Sequence, residues 1–386
     1  MHQRLLAFIS GSLLLCLSTP ANAQTPKEVK AKLLEIVQKA RQKHKVPAMA
    51  GAVILNGKLA AVATDGVRVT SKKVRVTDND LFHIGSCTKA MTATLIGRLV
   101  EAGVLKWEAD LEDLLPKLKK SMHGGYRFVK LSHLLSHQSG IVANIPKGKS
   151  FAKLHNLKGT PQQQRLQYAK MVLAVKPYRE PGTNYLYSNA AYAVAAVVAE
   201  EATGKSWEQL MKQYVFGPLK MDSVGHGSMG TPGKLDQPIQ HRSVLGFPVP
   251  VDPGPKSDNP VVSGPAGRVH CSITDWSKFI VSHLQGARGK DNLLKAKTYK
   301  YLHTTHYKGV YALGWVRVKR KWGGGEVLTH SGSNTMNFAT VWIAPKRNFA
   351  VLAATNHGGG FLACDNVASG CIAAFLSTKK NGKKKK

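Results

Sequence analysis

The chain has 386 residues, 55 lysines and arginines against 22 aspartates and glutamates, and a formal net charge of +33. That length can bury a large core, as one big domain or as two lobes. Five cysteines do not make a disulfide scaffold, and no apolar run reaches the about 20 residues that a membrane helix needs, so both of those classes are excluded.

Residues 1–23 read as a removable leader. Arg4 supplies the positive start, Leu5 to Leu17 the apolar run, and Ala21-Asn22-Ala23 a small-residue cleavage site. Leu15, before Cys16, does not suit a lipid anchor. The expected mature protein is exported, periplasmic or secreted, and has no transmembrane segment. Its positive field would favour anionic partners. Export directs that preference away from nucleic acid, toward anionic cell-envelope polymers, lipid head groups or acidic substrates. Lys379, Lys380 and Lys383 to Lys386 make residues 377–386 a basic tail. A basic proteome or a salty habitat accounts equally well for an excess that is spread along the whole chain.

Residues 27 to 44 read as a helix with apolar Val29, Leu33, Ile36 and Val37. Ala50 to Leu55 and Leu59 to Thr64 form a hairpin through Asn56-Gly57, the type I′ signal. Ser86 to Ala102 carries a stripe of Met91, Leu95, Leu99 and Val100 and stops at Gly103. Ala190 to Thr203 stops at Gly204, and Ser206 with Gln209 is a capping box for a helix through Tyr214. Residues 225 to 270 hold eight of the 18 prolines and read as a long ordered loop over a site. Strands follow at Tyr311 to Val318, Glu326 to His330, Phe338 to Ile343 and Phe349 to Thr355, then a helix over 361 to 376.

N-terminal and C-terminal strands therefore pair across a helical insertion. The expected class is α+β, an antiparallel sheet flanked by helices, with a large helical lobe inserted. The sheet lobe would comprise 24–80 and 300–376, and the helical lobe 81–299. Cys87, Cys271, Cys364 and Cys371 are expected to be free thiols. Cys364 and Cys371 sit about 10.5 Å apart along a continuous helix, beyond the reach of a disulfide.

Three boxes carry the chemistry. In Ser86-Cys87-Thr88-Lys89 the serine starts a helix, where the dipole favours an oxyanion. Lys89 returns to the same face one turn later, placed to hold or accept the serine proton. Taken alone, this is an ordinary cap and a solvated lysine; the same spacing recurs at Ser150/Lys153 and Ser377/Lys380. Tyr187-Ser188-Asn189 precedes an Ala-rich helix: a phenol near a lysine can act as base, and an amide can hold a substrate carbonyl. His330-Ser331-Gly332 ends a strand, and Gly332 permits close backbone approach, so that the N–H of Ser333 becomes a second oxyanion donor.

Together these boxes resemble the serine β-lactamase and penicillin-binding-protein superfamily, in its class C-like group. Further matching motifs are Leu131 to Gly140, Glu180-Pro181-Gly182, Pro218 to Met221, Pro265-Ala266-Gly267 and Leu313-Gly314-Trp315. The resemblance covers roughly residues 30 to 376. It implies a sheet-plus-helical-lobe fold with the site between the lobes, and a serine hydrolase acting on a small ester, amide, peptide or β-lactam through an acyl-enzyme. By position Ser86 is the nucleophile, Lys89 and Tyr187 handle the proton, and Asn189, His330, Gly332 and Ser333 bind substrate or oxyanion.

Two residues depart from the pattern. Arg268 stands where a glycine is usual, and His330 where a lysine is usual, so a fixed cation gives way to a group mostly neutral at pH 7. No cofactor is expected. His133 and His137 have zincin-like spacing, but Leu134 follows where the glutamate should stand, so no metal is expected either. The alternative to an enzyme is a catalytically degenerate relative that binds cell-envelope peptides.

Overall fold

Thr25 and Glu28 cap the first helix reciprocally: the Glu28 N–H donates to Thr25 Oγ1 at 3.3 Å and the Thr25 N–H to the Glu28 carboxylate at 2.8 Å. The structure, a computed structural model, describes residues 24–376. The leader 1–23 and the basic tail 377–386 lie outside the described residues. Five helices frame the molecule: α1 (Pro26–His44), α2 (Thr88–Glu101), α3 (Asn189–Thr203), α4 (Ile273–Ala287) and α5 (Phe361–Leu376).

Six strands form the main sheet: β1 (Ala48–Leu55), β2 (Lys58–Gly66), β3 (Val316–Arg320), β4 (Gly325–Ser333), β5 (Phe338–Ala344) and β6 (Phe349–Thr355). Their order is β2-β1-β6-β5-β4-β3, antiparallel throughout. The first and last of these strands in the chain are neighbours, with Gly51 opposite Ala353. The architecture is the expected α+β one. Asn56 and Gly57 both take positive φ (52° and 75°), the type I′ hairpin that their sequence announces.

Alternation along β1 divides the interior in two. Met49 and Val53 join one apolar core with Leu33 and Val37 of α1 and Val367 and Cys371 of α5. Ala48, Ala50, Ala52 and Ile54 face the other core, which runs into the helical lobe. Helix α4 packs on that second face of the sheet, against β1, β2 and β6, although it falls within the 81–299 span that reads as helical lobe. Its apolar residues Ile273, Trp276, Phe279, Ile280 and Leu284 are buried.

Helices α2 and α3 are buried nearly all round, and the Ala/Val run of α3 leaves it little polar face to turn to solvent. The buried Arg165 guanidinium ties α3 to its neighbours, bonding Glu200 at 3.0 Å and Glu208 at 2.8 Å. The Pro-rich 225–270 segment is ordered. It contains the hairpin Gln240–Val244/Phe247–Val251 and the tight turns Val261–Ser263 and Gly264–Gly267. Residues Val269–Ser272 then pair with Leu81–His83, directly before the Ser86 turn. All four cysteines of the described residues are free and buried, and α5 runs unbroken through Cys364 and Cys371.

Candidate active site

Ser86 sits in a 3-10 turn, Gly85–Cys87, that leads into α2. Two glycines bring strand β4 against this turn. Gly85 takes φ 50°, and a Cβ there would lie 2.4 Å from the Ser333 nitrogen. A Cβ on Gly332 would lie 2.1 Å from the Ile84 carbonyl and 2.4 Å from the Ser86 nitrogen. Only the missing side chains permit this approach. It brings the backbones of Ser86 and Ser333 together at a cavity of about 220 Å³ that both residues line.

Lys89 lies in the first turn of α2, fully buried. Its Nζ is 3.1 Å from Ser86 Oγ, 2.7 Å from Asn189 Oδ1 and 2.7 Å from the Ala266 carbonyl. The Tyr187 and Tyr192 rings lie 4.8 Å and 5.5 Å from it. No carboxylate is among these neighbours, and burial pushes the lysine pKa well below its ordinary value. The two carbonyl oxygens can only accept, so they take two N–H bonds. In the free amine the remaining lone pair faces the Ser86 hydroxyl.

The Tyr187–Asn189 turn is held from beneath by His137, whose Nδ1 accepts the Ser188 N–H at 3.0 Å. The His137 ring lies 4.2 Å from that of Tyr187, and burial pushes its pKa far down. His133 accepts the Lys130 N–H through its own Nδ1, as a helix cap. The pair therefore orders two turns. Tyr187 is itself pushed up by burial, and the neighbouring Ser86 hydroxyl pulls it part of the way back. Asn189 has its carbonyl on Lys89 and donates its amide to Asn144 Oδ1 at 2.8 Å.

His330 is bonded at both ring nitrogens. Its Nδ1 lies 2.8 Å from the Ser331 carbonyl, an acceptor only, so Nδ1 carries the proton. Its Nε2 then accepts from the Tyr311 hydroxyl at 2.9 Å. Both nitrogens are engaged, the ring is 5% exposed, and it is not among the residues lining the cavity. Burial, with Lys89 nearby, lowers its pKa to about 3. In this arrangement His330 supports Tyr311 and the strand end. Ser86, Asn189 and Ser333 line the cavity, with Lys89, Tyr187 and Gly332 packed behind them.

Sequence reasoning missed a carboxylate under the turn. Asp258 is buried and accepts from His83 Nε2 at 3.0 Å and from Asn334 Nδ2 at 2.9 Å, with Arg268 Nε at 3.4 Å. His83 Nδ1 in turn accepts the Gly85 N–H at 3.1 Å. One side chain thus gathers the Ser86 turn, the 264–268 turn and the residue after Ser333. Burial pushes Asp258 up, but His83, Arg268 and Asn334 hold it at about 2. Arg268, the departure from glycine, is its counter-ion. Asn144, Asn259, Ser263, Asn334 and Thr335 complete a cavity lining that contains no charged side chain among the described residues. Isolated asparagines in loops carry no spacing signal, which is why they were not legible.

The family model described as Beta-lactamase matches residues 33–368. Penicillin-binding protein 4 of Amycolatopsis lactamdurans is 27% identical over 333 residues, covering 82% of this chain and 83% of that one. The unguisins hydrolase ungD′ of Aspergillus campestris is 26% identical over 346 residues, 83% of this chain but 60% of its own length. Protein flp of Staphylococcus aureus is 22% identical, and the chain spans 62% of it. Among solved structures, a penicillin-binding protein homologue from Pyrococcus abyssi, octameric, superposes with TM-score 0.72 at 21% identity, covering 90% of this chain and 77% of that one. A class C beta-lactamase does so with TM-score 0.72 at 20% identity, covering 92% and 98%. With a family match over most of its length and this fold, the chain belongs to the beta-lactamase and penicillin-binding-protein superfamily, in its class C-like fold.

Proposed function

We propose that the protein is a serine hydrolase that cleaves small neutral esters or amides through an acyl-enzyme on Ser86. The observation that carries this reading is the Lys89 environment: a buried amine, two acceptor oxygens on its N–H groups, and Ser86 Oγ at 3.1 Å on its third side. Lys89 takes the hydroxyl proton as Oγ bonds to the substrate carbonyl carbon. The oxyanion that forms is met by the N–H groups of Ser86 and Ser333. The tetrahedral species then collapses, and the leaving group departs with a proton delivered from Lys89 or Tyr187. Water attacks the acyl-serine by the same path in reverse and releases the acid.

The preference for neutral substrates follows from the cavity. Its lining is amide, hydroxyl and backbone together with apolar Phe151 and Ala266, about 220 Å³ in volume, at the small end for ligand sites. His330 offers no cation to a β-lactam or peptide carboxylate, since its pKa of about 3 keeps it neutral at any working pH. A charge-assisted hydrogen bond is worth about 1.5–3 kcal/mol, roughly ten- to 150-fold in rate or binding.

Intact-mass analysis with a fluorophosphonate tests the nucleophile: one adduct on the wild type and none on Ser86→Ala is expected. A screen of short p-nitrophenyl esters, D-amino-acid amides, D-Ala-D-Ala peptides and nitrocefin tests the substrate class. Efficient nitrocefin turnover near neutral pH, with esters left untouched, overturns the preference. An adduct that persists in Ser86→Ala overturns the mechanism.

A further inference from the structure

The hairpin Gln240–Val251 projects an apolar tip into solvent. Leu245 is 94% exposed and Phe247 72%, with Val244 beside them at 42%. Phe361 and Leu362, each 56% exposed at the start of α5, belong to the same region. His241 bridges His357 there, and a Cβ on Gly359 would touch Ser243 at 3.5 Å. Large apolar side chains left exposed together in one region mark an interaction surface.

The turn itself supplies a second observation. Leu245 and Gly246 have φ 50° and 83°, nearly the values of Asn56 and Gly57 (52° and 75°) in the β1–β2 hairpin. Both turns demand a left-handed first residue, a conformation that asparagine adopts far more readily than leucine. At Asn56 the chain has the residue that suits the turn. At the 240–251 tip it has a large apolar side chain that strains the backbone and is nowhere buried. Folding gains nothing from that choice.

We propose that this hairpin docks the protein onto an anionic lipid bilayer, with Leu245 and Phe247 as the inserted wedge. Charge favours that occupant: the chain carries +33, and Arg242 stands exposed on the same hairpin. Anionic lipid attracts juxtaposed cations, and apolar side chains at the tip then enter the head-group boundary. The same charge opposes pairing with a second copy. Strand addition is disfavoured as well, because Pro248 and Pro250, opposite Ser243 and His241, have no N–H to offer a partner strand. The base of the hairpin is anchored beside the cavity mouth. The His241 N–H donates to Asn356 O at 2.8 Å and to Met336 O at 3.1 Å, and Gln240 accepts from Asn337 at 2.9 Å. Thr335, next to Met336, lines the cavity. Docking would therefore turn the mouth of the site toward the membrane surface.

Co-sedimentation of the purified protein with phosphatidylglycerol/phosphatidylcholine vesicles, and with phosphatidylcholine alone, tests this. Wild type should bind the anionic vesicles and not the neutral ones. Leu245→Asn and Phe247→Ser should each weaken that binding, and together by about tenfold or more. Leu245→Asn should also keep or raise the melting temperature, because asparagine suits the turn, whereas a packing role for Leu245 predicts a lower one. Hydrolysis of a soluble ester should be unchanged in both variants. Vesicle binding that is equal in wild type and variants overturns the proposal in favour of charge alone. Absence of vesicle binding, with self-association that depends on Leu245, overturns it in favour of a second copy.

Discussion

On the helical wall of the cavity, burial pushes Lys89 toward the free amine and leaves one side of its nitrogen facing Ser86. On the strand wall, burial holds His330 as a neutral imidazole with both nitrogens already bonded. Desolvation is the same force in both places. The difference lies in counting partners. An amine has three positions for two acceptor oxygens, so one remains for chemistry. An imidazole has two positions, and Ser331 O and Tyr311 fill them. In the proposed mechanism the helical wall therefore carries the proton chemistry, and the strand wall holds backbone in place.

Substitutions can break that division, and the largest effects belong on the helical wall. Ser86→Ala should abolish acylation, read by mass spectrometry. Lys89→Met keeps the buried volume and removes the amine, and should lower kcat by about 10²–10⁴. In the wild type, kcat/KM should rise with pH as Lys89 deprotonates, with a midpoint below the ordinary lysine value. A Lys89→Met enzyme within about tenfold of wild type would move the base elsewhere.

On the strand wall, Gly332→Ala should be the costly change. Its Cβ would collide with the Ile84 carbonyl and the Ser86 nitrogen, spoiling the oxyanion donors for a loss of about 10²–10³ in kcat. Steady-state kinetics should show the loss mainly in kcat rather than KM. A KM effect alone would mean that the two N–H groups do not meet the transition state.

Asp258→Asn should have an intermediate effect on activity and a distinct signature in stability. The folded pKa of about 2 lies below the unfolded value of 3.8. The carboxylate thus contributes stability that is full above pH ~4 and lost as pH falls through 2, on the order of 2 kcal/mol. Chemical denaturation against pH should show that acid limb shrinking in the variant. The buried histidines add a separate limb: His226, His241 and His270 are lowered to about 4 and His330 to about 3, mainly by burial. The unfolded chain binds these protons first, so stability should be flat above pH ~6.5 and fall steadily toward pH 4. The smallest effect is expected for Tyr311→Phe, which takes one donor from His330. It should cost about 1 kcal/mol of stability and leave kcat/KM within about threefold, as measured by thermal melts and ester hydrolysis. A large kcat loss there would return His330 to the chemistry.

The elements with local signals were legible. Asn56-Gly57, Gly103, Gly204, the Ser206/Gln209 box and the strand runs near the C-terminus all act through the backbone of their immediate neighbours. Ser86 and Lys89 were legible because one helical turn joins them. Helix α4 was harder to place, since nothing in its own periodicity says which lobe its apolar face meets. The strand expected from Tyr311 begins only at Val316, because Tyr311 turns its hydroxyl to His330 and makes a single bridge to Val316.

The order of the boxes, the glycines at 85 and 332, and the charge balance are properties of the sequence, because each depends on residue type and short-range spacing. Whether a titratable group is reactive or structural depends on which atoms surround it. Residues 89, 189 and 266 converge on one nitrogen, and 83, 258, 268 and 334 on one carboxylate, across separations that no local pattern encodes. His330 reads in sequence as a substitute for a cation. Only the packing of Tyr311 and Ser331 against it, with water excluded, makes it a neutral support.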